Sequence, residues 1–128
     1  MRYSSIWMVA LPVTIAATAA QAGVPVLLTG HSAAGPTLQK DILQTITLYG
    51  AVFDCPAPSA VRASELNSSA VPSSLRKEAL NTSYEEWDAT FCSKTARFFV
   101  TFWPDPKGGS FLSVQYPYPA GAPSAISR

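Results

Sequence analysis

The chain has 128 residues, 48% of them hydrophobic and 13% charged, with nine basic residues, eight acidic ones and a single histidine. That length suits one domain with a modest core. Arg62, Arg76, Lys77, Lys94, Arg97 and Lys107 are scattered among acids, which argues against the clustered cationic surface that nucleic-acid binding needs, and no basic amphipathic segment suits an anionic membrane.

Residues 1–22 carry the three parts of a secretory signal. Arg2 is the positive start, an apolar run extends from Ile6 to Ala20, and Ala20-Gln21-Ala22 is a small-x-small cleavage site. The run is interrupted by Pro12 and falls short of the roughly 20 apolar residues that cross a bilayer. Cleavage after Ala22 is therefore expected, giving a soluble protein that is periplasmic or secreted and not inserted in a membrane. Loss of Arg2 leaves eight basic residues against eight acidic ones. In an exported chain, Cys55 and Cys92 most simply form one disulfide. They lack Cys-x-x-Cys spacing and a nearby histidine, which weighs against a redox or metal pair.

After the signal, Gly23 to Gly35 reads as a brief edge strand or an ordered arm, since Pro25 cannot donate to a central ladder. From Pro36, the residues Leu38, Ile42, Leu43, Ile46 and Tyr49 follow helical spacing, with Gln39, Lys40, Asp41 and Gln44 opposite and Gly50 as a C-cap. The β-branched Thr45-Ile46-Thr47 leaves a strand over Thr45 to Phe53 as the alternative. Pro56 and Pro58 break the chain. Ser59 then caps a predicted short helix from Ala60 to Asn67, with Val61 and Leu66 inward. Another short helix is expected near Ser74 to Leu80. Asn67-Ser68-Ser69 and Asn81-Thr82-Ser83 match the glycosylation pattern, but the short, alanine-rich signal looks bacterial, where that pattern has no meaning.

Three strands follow. Tyr84 to Cys92 alternates Trp87, Ala89 and Phe91 against Glu86, Asp88 and Thr90. Ala96 to Trp103 is dense in aromatic and β-branched residues, with Phe98, Val100 and Phe102 on one face. After the reversal Pro104-Asp105-Pro106-Lys107-Gly108-Gly109, Ser110 to Tyr116 places Leu112, Val114 and Tyr116 together. Residues 117–128 are rich in proline and small side chains and read as a flexible tail.

Several residue sets bear on chemistry. Val26 to Gly35 is similar to the strand and nucleophile elbow of α/β-hydrolases, which would make Ser32 the nucleophile. However, Ala34 stands where the second glycine belongs, and His31 adjoins the serine it would have to approach from elsewhere. His31 has no neighbouring ligands for a metal. Glu86 and Asp88 share one strand face, as solvated acids would, rather than flanking a cleft as glycosidase carboxylates do. Phe99 and Trp103 lie opposite Phe98, Val100 and Phe102. With Tyr116 and Tyr118 they make a candidate apolar surface for a protein partner or a sugar chain.

The combination of Cys55-Pro56, Trp87 five residues before Cys92, Val100-Thr101-Phe102, Pro104-Asp105 and Gly108-Gly109 resembles small uncharacterised exported proteins of Gram-negative bacteria. Ser93 stands where that pattern has glycine. The resemblance implies periplasmic export and the meander, and adds no catalytic residue, cofactor or metal. The expectation is thus a signal over 1–22, one α+β domain over 23–116 and a tail over 117–128. The domain is a three-stranded antiparallel meander packed on one or two short helices, with one disulfide. The function expected is non-enzymatic binding of another envelope or secreted protein, as an inhibitor, immunity or assembly factor. The alternatives are a small periplasmic hydrolase using Ser32 and a cell-wall carbohydrate-binding module.

Overall fold

The computed structural model describes residues 26–125; the signal read over 1–22 lies outside the described residues. Five strands form one sheet: β1 (Leu27–Gly30), β2 (Ala60–Glu65), β3 (Ser83–Phe91), β4 (Lys94–Pro104) and β5 (Ser110–Gln115), in that spatial order. Strand β1 runs parallel to β2, and the remaining neighbours are antiparallel. The helix α1 (Pro36–Thr47) makes the crossover between the parallel pair and continues into a 3₁₀ helix, Leu48–Phe53. The α+β class holds. The sheet, however, is five-stranded and mixed, and the expected three-stranded meander, β3-β4-β5, is only part of it.

The additional strand is β2, where a helix was expected. Ala, Arg and Glu have good helix propensity, and Ser59 resembles a cap. In the fold Val61 and Ala63 are buried while Arg62 points outward, the period-two arrangement of a strand. Ser59 caps nothing; its amide donates to Thr90 O at 2.9 Å, extending the β2–β3 ladder. Pairing on both sides overrides a weak local preference. Residues 73–80 likewise yield one short 3₁₀ turn, Ser73–Leu75, after another at Ser68–Ala70.

Helix α1 forms for the reasons its spacing suggests. Pro36 occupies the first turn, where its missing N–H costs nothing. Ile42 and Ile46 are fully buried, with Leu38, Leu43 and Tyr49 packed around them. Gly50 sits where a Cβ would come within 2.2 Å of Cys55 O, so its glycine serves a close backbone approach rather than a cap. Gly30 ends β1 at φ +86, with a Cβ position 2.0 Å from Ala63 O.

The main core lies between α1 and the sheet. Trp87, Ala89, Phe91, Phe98, Val100 and Phe102 face it as the alternation predicts, and Leu112, Val114 and Tyr116 pack at its margin. Tyr49, Phe98 and Tyr116 have ring centroids 5.1 to 5.6 Å apart, and Phe53 stacks on Phe91 at 4.8 Å. A Cys55–Cys92 disulfide, with Cα atoms 6.0 Å apart, ties the end of the helical segment to the β3–β4 turn.

The opposite sheet face is also covered. Val71, Tyr84 and Phe99 are buried there with Leu66, Leu75, Tyr118 and Ala122 around them. Residues 117–125, read as a tail, lie back across this face: the Tyr118 hydroxyl donates to Pro123 O, and the Ala125 amide donates to Glu86 Oε1 at 3.0 Å. Such a segment has too little apolar surface to fold alone, but here the sheet supplies the other half of its contacts. Among the described residues, no helix is long and apolar enough to cross a membrane.

Candidate partner-binding edge

Strand β4 is long enough to carry Trp103 beyond the covered part of the outer face. Its register partner on β5 is Phe111, and the two rings stack with centroids 5.7 Å apart at 30°. Trp103 is half-buried, whereas Phe111 is 46% exposed. Lys77 Nζ lies 4.6 Å from the Trp103 ring centroid, within cation–π range. The Lys77 loop is fixed from both sides, because the Lys77 amide donates to the Tyr84 hydroxyl at 2.8 Å and Arg76 Nε donates to Val71 O at 2.7 Å. A cleft of about 220 Å³ runs between Ser74–Lys77 and the outer face of Thr101, Ser113 and Gln115.

The four aromatic residues singled out in the sequence do not form one surface. Phe99 is buried, and Tyr118 covers it edge-on at 5.7 Å. Tyr116 belongs to the helix side, against Tyr49, Phe53 and Phe98. Trp103 alone of the four stands at the open end, paired with Phe111, which the sequence reading did not select. The signal was present: Phe111 precedes Leu112 and therefore faces away from the Leu112–Val114 side.

Strand β5 is the sheet's terminal strand, and among the described residues no strand pairs with its far side. Edge strands are commonly protected by charges, proline, bulges or shortness. Ser110-Phe111-Leu112-Ser113-Val114-Gln115 has no charge and no proline, and its register against β4 runs unbroken over six pairs. The other edge differs, since β1 has four residues and ends at the left-handed Gly30.

The remaining candidates are occupied by structural tasks. Ser32 Oγ donates to Glu85 Oε1 at 2.7 Å and accepts from the Ala34 amide at 3.0 Å. His31 is 86% exposed and turned to Glu65 Oε2 at 2.6 Å, and no hydrogen bond links it to Ser32. No imidazole lies within hydrogen-bond reach of Ser32, so the Ser-His pair of an α/β-hydrolase elbow is not formed among the described residues. Glu86 and Asp88 are not a solvated pair as the alternation suggested: Glu86 is 1% exposed. Arg97 Nε lies 3.2 Å from Glu86 Oε2 and 3.1 Å from Asp88 Oδ1, and the C-terminal segment meets Arg97 through Ser124 and Glu86 through the Ala125 amide. Burial, then the adjacent Glu86 carboxylate, push the Asp88 carboxyl above its ordinary range against the pull of Arg97. Burial, then Glu86, likewise raise the Tyr118 hydroxyl. The two acids share one cation on one strand face and do not flank a cleft.

A second cleft, of about 540 Å³, lies between the start of α1, the Ala33–Gly35 loop and the Gly108–Ser110 turn, with Phe102 in its wall. Asp41 is its one charged lining residue, with Thr37 and Ser110 as the hydroxyl residues of the lining and no histidine among them. Among the described residues, no group of three or more His, Cys, Asp or Glu is placed to hold a metal ion. No family model matches the chain, and no curated protein or solved structure matches it significantly.

Proposed function

We propose that this chain is a non-enzymatic periplasmic protein that binds another envelope or secreted protein, as an inhibitor, immunity or assembly factor. The observation that carries this reading is the unprotected β5 edge with Trp103 stacked on the exposed Phe111 at its hairpin end. Large aromatic rings beside a free backbone ladder are the usual anchors of protein recognition. Export is supported by the signal-like residues 1–22, by the resemblance to exported bacterial proteins, and by the Cys55–Cys92 disulfide, a bond that persists in oxidising compartments. The hydrolase reading would rest on Ser32, whose hydroxyl is hydrogen-bonded to Glu85 and not to a histidine.

Affinity capture from the periplasm and envelope of the host tests this function. The tagged wild-type chain should retain one reproducible protein that Trp103→Ala and Phe111→Ser both release. Retention on cell-wall glycan with no protein partner would favour the carbohydrate reading instead. Hydrolysis of a host substrate that Ser32→Ala abolishes would contradict the non-enzymatic reading.

A further inference from the structure

The protein-binding reading leaves open what the partner presents, and this inference, which rests on that reading, concerns the partner's chemistry. Arg76 and Lys77 border the outer side of β5. Neither has a carboxylate partner among the described residues: Arg76 donates to the carbonyls of Val71 and Ser69, and Lys77 stands over Trp103. At the other sheet end Arg97 is paired to Glu86 and Asp88 and His31 to Glu65, while exposed Arg62 has no ion pair among the described residues. Arg76 and Lys77 thus place positive charge beside the longer of the sheet's two edges among the described residues.

We propose that β5 accepts an extended segment of the partner protein as an added strand, and that this segment alternates acidic with apolar side chains. A strand paired to β5 sends alternate side chains to the two sheet faces. On the helix side they would meet Leu112 and Val114, which are half-buried at the margin of the main core, so apolar side chains suit them. On the outer side they would pass Phe111, Ser113 and Gln115; Arg76 and Lys77 line the cleft over the last two, and carboxylates reaching it would gain charge-assisted contacts. A second copy of this chain fits less well. Pairing β5 with its own copy would bring Arg76 and Lys77 of both chains to the same face of the seam, and like charges so placed repel.

Selection of short random peptides displayed on phage against the full chain tests this directly. Peptides with alternating acidic and apolar residues should be enriched, and on binding they should shift and protect the amides of Ser110–Gln115. Their affinity should fall with rising salt, and by about tenfold in Lys77→Glu, as loss and reversal of one or two exposed ion pairs implies. Lys77→Met, which keeps the packing on Trp103, should weaken them less, in proportion to the charge removed. Enrichment of peptides without acidic excess, no enrichment, binding that leaves the β5 amides unchanged, or a dimer formed through β5 would each overturn the proposal. The two levels separate cleanly. A host protein released by Trp103→Ala whose binding leaves the β5 amides unprotected would preserve the protein-binding function and remove strand addition, whereas absence of any captured protein would remove the function itself.

Discussion

Glu85 and Trp87 stand two residues apart on the helix-facing side of β3, and the Trp87 indole nitrogen donates to Glu85 Oε1 at 2.8 Å. The same carboxylate accepts from Ser32 Oγ and from the Ala33 amide, both at 2.7 Å. A fully buried acid therefore clasps the β1–α1 loop to the central strand, with a donor for each of its main lone-pair directions. Glu85→Ala would leave the buried Trp87 indole N–H unpaired and release the part-buried Ser32 hydroxyl and the exposed Ala33 amide from the sheet. The indole alone should cost about 1–3 kcal/mol by urea denaturation, with the two released donors adding less because water can reach them. Ser32→Ala removes one donor of three and should cost about 1 kcal/mol.

The Cys55–Cys92 bridge spans 37 residues. In the chain-entropy model a loop of that length contributes about 4 kcal/mol by restricting the unfolded chain. For a domain of this size that corresponds to a Tm lower by roughly 20 °C in the double Cys→Ser variant. Thermal melts with and without a reducing agent measure it, and an unchanged Tm would contradict a structural role for the bridge.

The sign of the Asp88 effect follows from its raised carboxyl pKa, caused first by burial and then by Glu86. The folded chain holds the Asp88 proton to a higher pH than the unfolded chain does. Between the ordinary carboxylate value and the raised one, the folded state binds more protons, so this group's contribution to stability falls as pH rises through that window. Asp88→Asn, which keeps an acceptor for Arg97, should remove that fall. Denaturation midpoints across the weakly acidic range should show its advantage over wild type growing with pH and levelling toward neutrality.

Tyr118 joins the C-terminal segment to the sheet by its packing on Phe99 and by its hydroxyl contact to Pro123 O. Tyr118→Phe should cost about 1 kcal/mol. Tyr118→Ala should cost about 2 kcal/mol or more and should speed amide exchange at Ala125, whose N–H caps Glu86. Equal exchange in both variants and wild type would mean that the segment is not held through this ring.

Parts of this structure were legible in the sequence because local pattern and tertiary role agreed. Ile42 and Ile46 mark the buried stripe of α1, and Trp87, Ala89 and Phe91 alternate as a half-buried strand must. Strand β2 was hidden because Ala60-Val61-Arg62-Ala63-Ser64-Glu65 has little intrinsic β preference; its pairing with Leu27–Gly30 bridges some thirty residues of chain that no local window joins. The covering of the outer face was hidden for a related reason. Val71 and Tyr118 come from irregular segments without periodicity, yet they bury Phe99, and the last of those segments buries Glu86. Half of the candidate site could be read, since Trp103 was placed on the outward face. Its stacking on Phe111 and the free side of β5 depend on hairpin register and strand order, which emerge only in the assembled sheet.

Partner binding at β5, as proposed, should leave its mark on the backbone amides of that strand. The direct measurement is amide hydrogen exchange of the full chain, alone and in complex with the host protein it captures. Slowed exchange should be concentrated in Ser110–Gln115, with little change at Leu48 and Val52, exposed apolar residues just beyond α1. Protection at Leu48 and Val52 with β5 left unchanged would contradict binding at that strand.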